Sequence, residues 1–188
     1  MSKKEKTNLS KSVSSIQSIK ANPVQAMVVL AVLVALDVVI ARFLAFRQWN
    51  ITFSFGFITL VVAARLYGWV GGAITGALGD FIGAIAFPTG AYFPGFTLTA
   101  AIRGGIYGIC YKKSTHPVTV IIATVITQIL CSVLLNTTWV ALVYGSDFVT
   151  LLLTRLWQAA IMLVVEVVIS YPLLKATDRI SAMQLRRA

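Results

Sequence analysis

The feature that most restricts this chain is the spacing of its charges. Between residues 24 and 174, apolar stretches are interrupted only by short turns rich in proline, glycine or lysine. A helix rises ~1.5 Å per residue, so about 20 apolar residues cross a bilayer. The pattern predicts six spans, at 24–46, 52–67, 69–87, 95–111, 117–143 and 149–174. Pro23, Pro94 and Pro117 open helices at positions where a missing N–H costs nothing, and Pro88 stops one. Composition agrees, with 58% hydrophobic and only 12% charged residues; a soluble domain carries about a quarter charged. The predicted class is an all-α integral membrane protein with six transmembrane helices.

Basic residues test that topology. Lys3, Lys4, Lys6, Lys11, Lys20, Arg65, Lys112, Lys113, Lys175, Arg179, Arg186 and Arg187 all fall on one side of a six-span chain. The positive-inside rule assigns that side, and with it both termini, to the cytoplasm. Three regions are expected. Residues 1–20 form a disordered basic cytoplasmic tail, residues 21–180 the six-helix membrane domain, and residues 181–188 a second basic tail. The first twenty residues have no apolar centre and are not expected to be a signal peptide. The net charge of +10 is carried by tails and loops, so no nucleic-acid partner is expected. Cys110 and Cys131 lie in apolar runs without ligand spacing, and the lone histidine, His116, precedes a proline in a polar loop. No metal site and no cofactor is expected, and no nucleophile–base set or phosphate-binding loop is present in the sequence.

The informative residues are polar groups inside the apolar blocks, where they are costly and default to function. Counted from the outer helix ends, Asp37, Asp80, Arg103, Asn136 and Arg155 fall on the order of 10–14 Å deep. Five helices thus place a polar group in one layer of the outer half, as a ligand cavity open to the outside requires. Two roles are open to Asp80: an ion pair with Arg103, or a place in the site. The surplus of arginine favours an anionic ligand. Arg42 and Arg47 at the outer end of the first helix either attract that anion or mark the interface. Glu166 lies deeper, within the bundle or facing a partner.

Aromatic residues are more frequent in the outer half, among them Trp49, Phe53, Phe55, Tyr92, Phe93, Phe96, Trp139 and Trp157, than in the inner half, with Tyr67, Trp69, Tyr107, Tyr111 and Tyr171. Interfacial belts should appear at both faces, so the excess points to stacking around a planar ligand. The loop from Phe87 to Gly95, with two prolines and two glycines, is expected to fold as a shaped lid. Small residues at four-residue spacing (Ala31 and Ala35, Gly72 and Gly76, Gly79 and Gly83) form close-packing faces.

The run from Gly76 to Ala100, GALGDFIGAIAFPTGAYFPGFTLTA, together with Asn136-Thr-Thr-Trp139, Tyr144-Gly145 and Arg155, resembles the substrate-binding S components of energy-coupling factor (ECF) vitamin transporters. The similarity spans residues 24–175 and is greatest to the folate-specific subfamily. The resemblance implies a six-helix bundle with cytoplasmic termini in the bacterial plasma membrane. It implies high-affinity folate capture from outside, and release inward with a membrane T component and two cytoplasmic ATPases. It implies docking to the T component through Ala31 and Ala35. The expected ligand-binding residues are Arg42, Asp80, Tyr92, Phe93, Pro94, Gly95, Phe96, Arg103, Asn136, Trp139 and Arg155. Arginines would meet carboxylates or ring polar atoms, Asn136 and Asp80 a pterin edge, and the aromatics a ring face. Rival readings are an S component for riboflavin, thiamin or a queuosine precursor, and a structural or signalling subunit whose polar layer is only ion pairs.

Overall fold

The computed structural model describes residues 23–48, 51–88, 90–145 and 147–185. The expected tail at 1–20, Trp49, Thr89, Arg186 and Arg187 lie outside the described residues. Helix α1 (Pro23–Phe43) leads into a two-stranded antiparallel hairpin, β1 (Phe46–Gln48) and β2 (Ile51–Phe53). Then follow α2 (Phe57–Ala86), α3 (Pro94–Lys113), α4 (Pro117–Thr127), a π-helical segment (Gln128–Leu135), α5 (Asn136–Tyr144) and α6 (Phe148–Leu185).

The hairpin corrects two expected spans. The first helix ends at Phe43 rather than 46, and the second begins at Phe57 rather than 52. The register pairs Phe46 with Phe53, Arg47 with Thr52 and Gln48 with Ile51. The cause is legible in Ile51-Thr-Phe-Ser-Phe55, where polar and apolar residues alternate with the period of a strand. The chain is therefore helical with one short β-hairpin, not purely helical.

Four helical stretches are long and apolar enough to cross a membrane: Pro23–Phe43, Phe57–Ala86, Pro117–Tyr144 and Phe148–Ile180. One of them is not a rod. At Gly68 the backbone takes φ 72° and ψ −155°, a region open mainly to glycine. A Cβ on Gly71 would lie 3.2 Å from the Ala63 carbonyl oxygen, and one on Gly76 would lie 3.3 Å from Leu60 Cδ2. In a straight helix residues 60 and 76 would stand ~24 Å apart. The chain folds back at Gly68, so 57–67 and 69–86 are antiparallel limbs, close to the expected 52–67 and 69–87.

Glycine sets the closest approach. A Cβ on Gly72 would collide with the Gly104 carbonyl, one on Gly76 with the Ala100 carbonyl, and one on Gly108 with the backbone at Gly68 and Trp69. The second limb of α2 and α3 therefore touch backbone to backbone in antiparallel register. The pairs Arg103–Ser132, Tyr107–Thr127 and Thr99–Trp139 run α3 antiparallel to the α4–α5 helix.

The apolar core sits at the Gly68 end. Phe57, Leu60, Val61, Ala64, Tyr107, Tyr111, Val120, Ala123, Met162 and Leu174 form one buried cluster. Tyr107 and Tyr111 are stacked, with ring centroids 5.2 Å apart, and both are fully buried. They belong to this core and not to an interfacial belt as expected, because α3 turns that face toward α4 and α6. At the same end, Arg65 joins three elements. It pairs with Asp178 of α6 at 2.6 Å and donates to the Tyr111 and Lys112 carbonyls of α3. The basic positions 65, 112, 175 and 179 thus share one end of the bundle. Helix α6 continues past 174 through Pro172 to Leu185.

Candidate functional site

The opposite half of the bundle is hollow. A cavity of about 250 Å³ opens among α1, α2, α3 and the π segment. Arg42, Asp80, Phe96, Arg103 and Asn136, all expected from sequence, line it together with Asp37, Ala41, Ser54, Gly56, Phe57, Leu60, Gly76, Gly79, Thr99, Ala100 and Cys131. Four of the five groups expected in one layer therefore surround one space. Arg155 is half-buried on α6 and is not part of that wall.

Local backbone explains why these side chains meet. Cys131 and Asn136 are five residues apart, which in a regular α-helix rotates them by about 140°. Here the Asn136 N–H donates to the Cys131 carbonyl, and the wide π turn brings both onto the cavity face. On α2, Gly79 and Gly83 leave room for side chains of α1. A Cβ on Gly79 would strike the Asp37 carboxylate, and one on Gly83 would lie 2.7 Å from Arg42 Nε. The Gly79-Gly83 pair thus serves internal packing around two polar side chains.

Each polar group has a defined setting. Arg42 Nη2 reaches the Asp80 carbonyl at 3.5 Å. The Asp80 carboxylate accepts from Thr97 Oγ1 at 2.8 Å, and Thr97 in turn lies 3.3 Å from the Tyr92 hydroxyl. Asp37 accepts from Thr59 Oγ1. Arg103 donates to Ser132 Oγ at 2.8 Å, and its Nη2 stands 3.6 Å from Glu166 Oε1. Of the two roles open to Asp80, the place at the cavity wall is the one observed, and Arg103 is paired with Glu166 instead. Glu166 is fully buried and also accepts from Tyr107 at 2.9 Å, so it lies inside the bundle. The reason is depth: Glu166 faces Arg103 from α6 on the core side, while Asp80 is held by Thr97 toward the loop.

The loop before α3 packs beside the cavity wall at Phe96. Phe93 packs on Trp139 with centroids 5.4 Å apart and on Phe96 at 6.3 Å. The Trp139 indole donates to Thr99 Oγ1 at 3.0 Å. Gly95 is required in this cluster, since a Cβ there would strike the Phe93 and Trp139 rings. Pro94 starts α3, and the Tyr144 hydroxyl accepts from the Ala91 N–H at 3.3 Å, tying the loop to the end of α5. Of the aromatic residues expected at the site, Phe96 lines the cavity, Phe93 and Trp139 pack behind it, and Tyr92 is outermost and exposed. Ala31 and Ala35 lie on the exposed face of α1, away from the cavity.

Sequence reasoning left Thr99, Ser54 and Cys131 out of the expected site. Thr99 is in the Gly76–Ala100 run and could have been found there. Cys131 reads as an ordinary apolar position until the π turn is known.

A cavity of mixed charge inside an apolar helical bundle defines a membrane protein that binds a small polar ligand. The family model described as "ECF transporter, substrate-specific component" matches residues 25–174, and the chain belongs to that family. It is 35% identical to a folate transporter FolT of Clostridium novyi (strain NT), over 85% of this chain and 94% of the relative. It is 33% identical to a folate transporter FolT of Leuconostoc mesenteroides, over 78% of this chain and 83% of the relative. A crystal structure of FolT bound with folic acid superposes with a TM-score of 0.75 at 33% identity, covering 79% of this chain and 92% of that one.

Proposed function

We propose that this chain is the folate-binding S component of an ECF-type importer in the cell membrane, capturing folate from outside and passing it inward. On this reading six helical segments cross the membrane: α1, the two limbs of α2, α3, α4 with α5, and α6. Both termini face the cytoplasm. The basic cluster around Arg65, Lys112 and Lys175 marks the inner side by the positive-inside rule, and the cavity then opens outward. A T component, docking over Ala31 and Ala35, and two ATPase subunits would supply the energy that no motif of this chain provides.

The observation that carries the proposal is the composition of the cavity wall. Arg42 and Arg103 offer cations for carboxylates, Asn136 and the two aspartates offer edge contacts to a heterocycle, and Phe96 offers a ring face. Ligand pockets commonly run about 300–1,000 Å³. At about 250 Å³ the hollow suits a pterin-sized ring, with the rest of the ligand extending toward the Phe93–Trp139 pair. The relatives' names point to the same vitamin.

The test is a titration of the detergent-solubilised protein with folate, following tryptophan fluorescence, since Trp139 stands beside the cavity. Saturable binding to folate, with none to riboflavin or thiamin, is expected. Binding of one of those vitamins and not folate would reassign the ligand within the family.

A further inference from the structure

Asp37 is the polar wall residue whose surroundings are least explained by structure alone. It is 6% exposed and lines the cavity. One carboxylate oxygen accepts from Thr59 Oγ1, and Thr59 is fixed by its own bond to the Gly56 carbonyl at 2.7 Å. Among the described residues, the ion pairs are Arg65–Asp178 and Arg103–Glu166, and neither involves Asp37. A buried carboxylate without a paired cation is expensive at membrane depth.

The bundle nonetheless reserves space for it. Gly79 presses on the second oxygen, Oδ2, where a Cβ would collide, and a Cβ on Gly56 would come to 3.0 Å from Oδ1. Two glycines and a threonine from α2 and the residue before it thus fix this carboxylate at the cavity wall. The cations on that wall, Arg103 and Arg42, act on Asp37 through their charge while their described hydrogen bonds go to other groups, Arg42 to the Asp80 carbonyl and Arg103 to Ser132, with Glu166 beside it. What remains for a carboxylate with free acceptor capacity is a ligand that brings its own N–H donors.

We propose that Asp37 is a specificity-determining residue that accepts two parallel N–H bonds from a donor–donor heterocycle edge, the edge formed by a ring N–H beside an exocyclic amino group. This rests on the folate reading above, since the pterin of folate carries such an edge at N3–H and the 2-amino group. The cavity then recognises an amphoteric ligand: Asp37 takes the donor-rich ring, and the arginines take the anionic remainder. A carboxylate accepts this edge in bidentate fashion, and a ligand lacking the amino group leaves the buried oxygen unpaired.

The experiment compares folate with 2-deamino-folate on the wild type and on Asp37→Asn, by fluorescence titration, with monodispersity and melting temperature recorded. The wild type is expected to favour folate on the order of 100-fold, the cost of one buried acceptor left unpaired. Asn at 37 places an N–H where an acceptor is needed, so folate binding should weaken on the order of 100-fold and the ratio between the two ligands should fall to about threefold or less. A purely structural aspartate would lower the melting temperature and leave the ratio untouched, which overturns the assignment. If the variant does not fold, the wild type alone decides: discrimination below about threefold overturns it. Wild-type folate binding without discrimination removes the Asp37 role only, whereas absence of folate binding removes the folate reading and this role together.

Discussion

The two halves of the bundle are built from the same helices by opposite rules. Toward Gly68 the chain is closed: tyrosine rings stack, glycines bring backbones into contact, and the buried Glu166 is matched by Tyr107 and Arg103. Toward the hairpin and the α2–α3 loop it is hollow, and Arg42, Asp37, Asp80 and Asn136 face a common space. Helices α2 and α3 pass through both halves, so helix type does not make the difference. It comes from what sits at each level: Gly72 and Gly108 against neighbouring backbone in one half, and Gly79 and Gly83 against charged side chains in the other. Close packing keeps the first half from deforming, and that rigid base holds the second half's polar groups apart.

The largest expected effect tests the closed half. Gly72→Leu forces a side chain into the Gly104 carbonyl, and overpacking of this kind costs about 3 kcal/mol or more. The variant should lose its monodisperse peak in detergent; a normal peak and melting temperature would mean that α2 and α3 are not in backbone contact. Next comes the joint between halves. Arg103→Met leaves Glu166 uncompensated and should destabilise by about 2–4 kcal/mol. Adding Glu166→Gln should recover much of the melting temperature while folate binding stays weak, separating the structural and ligand roles of Arg103. Equal recovery of both would move Arg103 out of the site.

A smaller effect reports on the hollow half directly. In a Cys110→Ala background, a small methanethiosulfonate reagent should label Cys131 slowly, and saturating folate should slow it about tenfold further. Labelling unchanged by folate would separate Cys131 from the ligand space. The smallest effect lies outside the bundle. Hydrogen bonds from the Thr150 hydroxyl and N–H hold the exposed Asp147 carboxyl below its ordinary value of 3.8. A group depressed on folding stabilises above its unfolded value and loses that contribution as pH falls through the folded one. The first turn of α6 should therefore exchange its amides faster only below about pH 4, and Asp147→Asn should remove that pH dependence. An unaltered dependence would point to another acid.

The site was partly legible in advance. Depth counting alone brought Asp37, Asp80, Arg103 and Asn136 to one level, because a helix of known rise converts position into height. It could not give azimuth. Arg155 was counted to the same depth but is absent from the cavity wall, and Arg103 turned to Glu166 rather than Asp80, since rotation about each helix axis is set by packing against neighbours. The hairpin at 46–53 was written in the alternation of Ile51 to Phe55, a period that a search for apolar length passes over.

The sequence by itself determined that the chain is a bundle of apolar helices, basic at one end, with costly polar groups at a shared depth, because length, hydropathy and charge are properties of each segment alone. Only the tertiary structure decided which of those groups meet. The reversal at Gly68, the π turn before Asn136 and the glycine contacts fix how each helix is turned, and those are relations between segments that no single stretch of chain contains.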